Sequence, residues 1–189
     1  MSKPKEKWLR PTLKTNKPVV LIDQDGVLCD WDKRKAELLA QGYKDHELHQ
    51  LKGGFDDLEL IPGAKETWDW MQPFFDTYIC STPPWSNPHM YMEKRRWCEK
   101  YLGPSAKKKL ILTHHKGLVH GDILIDDRIA NGVADFKGRF MHFGSPAFPN
   151  WNIIKDHLEM YLTYIDNANT SVLDHQTLKF KQVITFPTY

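Results

Sequence analysis

The chain has 189 residues, 41% of them hydrophobic and 26% charged, with a net charge of +2. These are ordinary values for a soluble globular protein of one domain with a small insertion, and the charge is too weak to imply a nucleic-acid partner by itself. No apolar run approaches the ~20 residues needed to span a bilayer, and three cysteines without paired spacing argue against a disulfide framework and for a reducing compartment.

The segment Met1 to Pro18 is basic but has no apolar stretch after its charges, so it does not read as a secretory signal and the default is cytoplasmic. Lys3 to Lys17 and the run Lys107-Lys108-Lys109 read as solvated charge, so no stable nucleic-acid partner is expected. Val19 to Ile22 is too short for a helix and rich in β-branched residues, which predicts a strand covered on both faces of a parallel sheet. It stops at Asp23-Gln24-Asp25-Gly26. Two carboxylates one residue apart repel unless a cation or shared proton relieves them. Taken alone, a helix cap or turn explains the pair as well as a site does. Cys29, close by, reads as a small buried hydrophobe rather than a nucleophile.

Pro62-Gly63-Ala64 opens a helix with Ala64, Trp68 and Met71 on one face and Pro73 at its end. A second strand-like run, Phe74 to Cys80, stops at Ser81-Thr82. Trp85, in the proline-rich loop that follows, lies over a ligand or plugs the loop; the residues favour neither. Asn87 caps and Pro88 starts another helix, in which Trp97, Cys98, Tyr101 and Leu102 recur before Gly103-Pro104. Leu110 to Thr113 then leads to His114-His115-Lys116, and Ile123 to Ile125 to Asp126-Asp127-Arg128. The histidines 114, 115 and 120 lack a fitting fourth ligand for zinc and read as loop residues. Arg139 to Phe143 makes a fifth strand. A helix after Asn150 places Ile153, Ile154, His157, Leu158, Tyr161 and Leu162 on one stripe. Beyond Ile165 the Asn-Ala-Asn-Thr-Ser stretch reads as a linker, and Leu178 to Phe186 has strand-like composition.

Each strand-like run thus delivers polar chemistry at its carboxyl end. In one parallel sheet these ends gather Asp23, Asp25, Ser81, Lys116, Asp126 and Asp127 around a single crevice. Clustered carboxylates there suit a hard divalent cation such as Mg2+, with a hydroxyl and an ammonium to complete a phosphate cradle.

The set Asp23-x-Asp25-Gly26-Val27, Ser81, Lys116 and Asp126-Asp127 resembles the four ordered motifs of the haloacid dehalogenase-like phosphohydrolases. Ile79-Cys80-Ser81-Thr82-Pro83, Glu93-Lys94-x-x-Trp97, Tyr101-Leu102-Gly103-Pro104, Ile111-Leu112-Thr113-x-x-Lys116 and Leu124-Ile125-Asp126-Asp127-Arg128 more narrowly resemble the 5'(3')-deoxyribonucleotidases, from about Val19 to Trp151. The resemblance implies a Rossmann-like α/β fold, a parallel sheet with helices on both faces and a small cap insertion after the first strand. The chain is expected to divide into a basic tail (1–17), a phosphatase core (18–165) with a short cap at about 32–61, and an extension (166–189) that the resemblance does not reach.

By the same resemblance Asp23 is the nucleophile and Asp25 the acid and base. Magnesium is held by Asp23, the main-chain carbonyl of Asp25 and the pair Asp126-Asp127, with Asp127 in direct contact and Asp126 supporting. Ser81, Thr82 and Lys116 face the phosphate. The expected activity is removal of phosphate from (deoxy)ribonucleoside monophosphates. A second phosphorylated metabolite or a nucleic-acid phosphate end is the alternative substrate. A non-enzymatic phosphoacceptor switch fits less well, because its acidic pair belongs on the first strand and here the pair comes last. Two departures stand out. Where the family carries Arg-Asp before the lysine, this chain has His114-His115, so a phosphate-facing cation is either missing there or replaced by His114, a residue type whose charge is pH-dependent. The cap, Trp31 to about Ile61, is shorter than usual, leaving Trp31, Tyr43 and Phe55 as candidates to clamp a base. A homodimer is left open.

Overall fold

The structure is a computed structural model, and it describes residues 17–174. The strands are β1 (Val19–Ile22), β2 (Asp76–Ser81), β3 (Leu110–Leu112), β4 (Ile123–Asp126) and β5 (Arg139–His142). All run parallel, in the order β3-β2-β1-β4-β5. β1 is central and all four of its residues are buried, as an unbroken apolar strand covered on both faces demands. Val19 and Leu21 join Cys80 and Leu124 on one face, packed against Val119, Val133 and Phe136. β2 starts later than the apolar run suggests. The amides of Phe74 and Phe75 donate to Met71 O at 3.0 and 2.9 Å, closing the preceding helix instead of pairing in the sheet.

The helices are α1 (Trp31–Ala40), α2 (Ala64–Met71), α3 (Pro88–Trp97) and α4 (Trp151–Asp174). α2 buries Ala64, Trp68 and Met71, the i, i+4, i+7 stripe of its sequence. At α3 the Asn87 side chain accepts from the His89 amide at 3.0 Å and Pro88 fills the first turn. Regular α-helix ends at Trp97, and the chain goes on through a wider turn, Cys98–Leu102, rather than one helix to Leu102. Both Cys98 and Leu102 are buried there beside Trp97. α4 continues through Asn167 to Ser171, where composition reads as a linker. That stretch holds weak helix formers but neither glycine nor proline, so nothing in it stops the helix.

Residues as far as Ile154 belong to one compact unit and the chain from Lys155 to another. Within the first, the Trp151 indole donates to Val27 O at 2.8 Å. The strand-like residues 178–186 and the basic tail up to Asn16 lie outside the described residues. Among those described, no helix is long and apolar enough to cross a membrane.

The order β3-β2-β1-β4-β5 reverses chain direction across the sheet beside β1 and β4. That is where open α/β sheets form a crevice at their carboxyl ends. Asp23 leaves β1, Asp126 ends β4, and the register Ile22 opposite Ile125 sets them side by side.

Candidate active site

Four of the residues expected in the crevice meet at its floor. The Asp23 amide donates to Ile125 O at 2.8 Å, tying the turn after β1 to β4. Lys116, buried at the start of a short turn after β3, lies 2.7 Å from Asp23 Oδ1 and also pairs with Asp126 Oδ2. Burial works against the Lys116 charge, but Asp23 and Asp126 outweigh it and its pKa is raised.

Asp126 and Asp127 differ in what holds them. Asp126 has one oxygen on Lys116 and the other on the Arg128 amide at 3.0 Å. Asp127 Oδ1 is buried without a hydrogen-bond partner, and Arg128 Nε stands 3.9 Å from it. Burial, then the charge of Asp23, pushes Asp127 up to about 6; burial and Asp23 likewise raise Asp126.

Asp23, Asp126 and Asp127 each present an oxygen within 4.8 Å of the others. The space beside them is kept by Gly26, at φ +77°: a Cβ there would stand 2.5 Å from Asp127 Oδ2. An all-oxygen donor set with one orphaned buried carboxylate oxygen fits a hard divalent cation, the chemistry Mg2+ requires. Ser81, fully buried at the end of β2, also has an unpartnered hydroxyl. Thr82 is engaged differently, donating through Oγ1 to Thr113 O at 2.8 Å.

Asp25 stands apart from this floor, and its partner is one the sequence reading gave no role. The Lys94 ammonium, wholly buried in α3, pairs with Asp25 Oδ2. On the other side Cys29 Sγ lies 3.6 Å from Asp25 Oδ1 and donates to Gln24 O at 3.3 Å. Cys29 is buried, as expected of a small hydrophobe, and burial raises its thiol well above the usual range. Lys94 also sits 4.9 Å from the centre of the Phe55 ring.

The neighbouring Glu93 accepts from the amides of Gly53 and Phe55 at 2.7 and 3.2 Å. Asn87 donates to His49 O and Leu51 O, and the Trp97 indole to Leu58 O. One side of α3 therefore fixes the segment between α1 and α2 while holding Asp25. The sequence does carry a signal for this: Glu93 and Lys94 fall between Met90 and Trp97 on the buried stripe of the helix.

Above the floor opens a cleft of about 480 Å³. Trp31, Phe55 and His49 line one part of it, with Trp31 stacked on Phe55 at 4.3 Å and near His49 at 5.4 Å. Thr82, Pro84, Trp85 and His114 line another, and Asp25 and Asp127 are at its base. Tyr43, the third aromatic candidate, is exposed and not part of this lining. His114 contacts Pro83 O through Nε2 at 2.9 Å, and His115 turns to Asp135, 3.5 Å away.

The family profile described as 5' nucleotidase, deoxy (pyrimidine), cytosolic type C protein matches residues 46–157, a span that holds Ser81, Lys116, Asp126 and Asp127 but begins after Asp23 and Asp25. A protein of Vibrio phage KVP40, provisionally named a 5'(3')-deoxyribonucleotidase, is 41% identical over 147 residues, covering 77% of this chain and 86% of its own length. The human cytosolic type 5'(3')-deoxyribonucleotidase is 34% identical over 140 residues, 58% of this chain and 70% of that one. Among solved structures, YfnB of Bacillus subtilis, provisionally named a HAD-hydrolase, overlaps 72% of this chain and 90% of its own at 13% identity and a TM-score of 0.47.

Proposed function

Because this chain belongs to the 5'(3')-deoxyribonucleotidase family of phosphomonoester hydrolases, we propose that it removes phosphate from (deoxy)ribonucleoside monophosphates through an aspartyl-phosphate on Asp23, with Mg2+ as cofactor. The observation that supports this most directly is the meeting of Asp23, Lys116, Asp126 and Asp127 at the adjoining ends of β1 and β4. A buried lysine against two carboxylates, beside a third with a buried oxygen that accepts no hydrogen bond, is costly for stability and makes sense where an anion and a cation are to be bound.

Asp23, Asp127 and the main-chain carbonyl of Asp25, with Asp126 in support, would hold Mg2+, whose positive charge would let a carboxylate approach an anionic phosphoryl group. Asp23 then attacks phosphorus with one oxygen, the bond from phosphorus to the nucleoside oxygen breaks, and that oxygen takes a proton from Asp25. In the second displacement Asp25 takes a proton from water, the water oxygen attacks phosphorus, and the bond to Asp23 breaks to release phosphate. Lys116 and the free Ser81 hydroxyl donate to phosphoryl oxygens as charge builds on them. Lys94 and Cys29, one on each carboxylate oxygen, orient Asp25. The aromatic group Trp31, Phe55 and His49 offers apolar surface for a base at one side of the cleft.

The test is a phosphate-release screen over 5'- and 3'-monophosphates of ribose and deoxyribose nucleosides, pyrimidine and purine, with sugar phosphates alongside and with or without Mg2+. Mg2+-dependent release that favours nucleotides and vanishes in Asp23→Asn is expected. Equal or better release from sugar phosphates moves the substrate outside the nucleotides, and an active Asp23→Asn removes that residue as nucleophile.

A further inference from the structure

We propose that Trp85 is a specificity residue, the outer stacking surface for the nucleobase, facing the substrate from the core side of the cleft. This inference rests on the nucleotidase reading above and adds to it a residue outside the segment between α1 and α2.

Trp85 is 83% exposed, the most exposed large hydrophobic side chain among the described residues, while Trp68, Trp97 and Trp151 are fully buried. A lone exposed hydrophobic residue is common and needs no explanation, but Trp85 is exposed within the lining of the cleft, where its indole is offered to whatever the cleft holds. The support here is rigid. Pro83 is buried, the Thr82 hydroxyl is tied to Thr113 O, and the Asn87 amide donates to Pro84 O at 3.2 Å. Asn87 in turn is buried and bonded to His49 O and Leu51 O.

Among the described residues Trp85 meets one aromatic ring, His114, at 5.5 Å and an angle of 73°. That ring is itself fixed by its contact with Pro83 O. An edge-to-face neighbour steadies the indole without stacking on it. Trp85 therefore stands braced at the rim of a cleft whose floor carries the phosphate chemistry, as part of the same lining as the stacked pair Trp31 and Phe55. A substrate with its phosphate at Asp23 and its planar base between these aromatic groups satisfies both ends of the cleft. The indole discriminates a base from the open edge of a sugar because only the base offers a π face.

The experiment compares wild type, Trp85→Ala and Trp85→Phe on a pyrimidine deoxynucleoside 5'-monophosphate and on 2-deoxyribose 5-phosphate, with KM and kcat measured separately. Loss of base stacking raises KM for the nucleotide by about 10-fold in Trp85→Ala, leaves kcat within about 2-fold, and leaves the sugar phosphate unchanged. Trp85→Phe keeps most of the affinity, and the thermal midpoints of all three proteins coincide. A wild-type enzyme that prefers nucleotides but shows the same KM ratio in Trp85→Ala overturns the role of Trp85 alone. A wild-type enzyme with no preference for the nucleotide over the sugar phosphate overturns the nucleotidase reading on which it rests.

Discussion

Lys94 and Asp25 form an ion pair between the middle of α3 and the turn after β1, with the lysine fully buried and the Asp25 side chain 14% exposed. The same ammonium lies against Phe55, which stacks on Trp31. The proposed acid and base is thereby linked through one cation to the aromatic side of the cleft. Lys94→Met keeps the volume and removes the charge. It should lower kcat by about 10²-fold with little change in KM, since Lys94 positions Asp25 and does not touch the base. Breaking a buried pair also costs about 3 kcal/mol of stability. The check is a double-mutant cycle: in an Asp25→Asn background the further kcat loss from Lys94→Met should nearly vanish. Additive losses would show that Lys94 acts elsewhere.

Ser81 carries a different signature, a buried hydroxyl with no partner. Such a group is already desolvated, so Ser81→Ala removes a penalty rather than a bond and should leave the thermal midpoint unchanged or slightly higher. Activity should behave in the opposite way, with kcat/KM falling about 10²-fold as one donor to the phosphoryl oxygens is lost. A destabilised variant with intact kcat/KM would mean that the hydroxyl serves the fold.

Why some of these residues are legible in the chain and others are not follows from where each lies. Asp23, Asp126 and Lys116 stand at or just beyond apolar runs too short for helices, and once those runs are strands of one parallel sheet their ends must converge. Lys94 sits on a helix, where a lysine ordinarily means solvent. Only its position between Met90 and Trp97 reveals that it points inward, and that stripe passes unnoticed when the helix is traced from Trp97 onward. Glu93 is harder still, because its partners are main-chain amides of Gly53 and Phe55 some forty residues away, and no side-chain pattern records them. Tyr43 illustrates the reverse error. An aromatic residue in the right segment suggests a base contact, yet it follows the end of α1 and stays exposed.

Gly26 is where the backbone meets the proposed metal site. Its φ of +77° favours glycine, and any Cβ would come within 2.8 Å of Asp127 Cγ and 2.5 Å of Oδ2. Gly26→Ala therefore strains the turn by about 1 kcal/mol and displaces the Asp127 carboxylate. Affinity for Mg2+ measured by calorimetry should fall by at least about 10-fold, since loss of ligand orientation typically costs that much. Undiminished Mg2+ affinity in this variant would place the cation away from Asp127.

The raised pKa of Asp127 makes stability depend on pH in a direction opposite to that of most carboxylates. Its value in the fold is about 6 against 3.8 for the free group, set by burial first and then by Asp23. The fold thus favours the protonated form. The stabilisation from this group is complete below about pH 4 and is lost as pH rises through 6. In the absence of divalent cations, Asp127→Asn should therefore be more stable than wild type at pH 7.5, and the gap should close toward pH 4. Adding Mg2+ at pH 7.5 should raise the melting temperature of wild type and not of the variant, because the ligand must be ionised to bind the cation. At pH 5 the same addition should raise it far less. Thermal melts of both proteins at the three pH values, with and without Mg2+, decide the matter: a gap between the proteins that does not vary with pH would mean that Asp127 is ionised throughout.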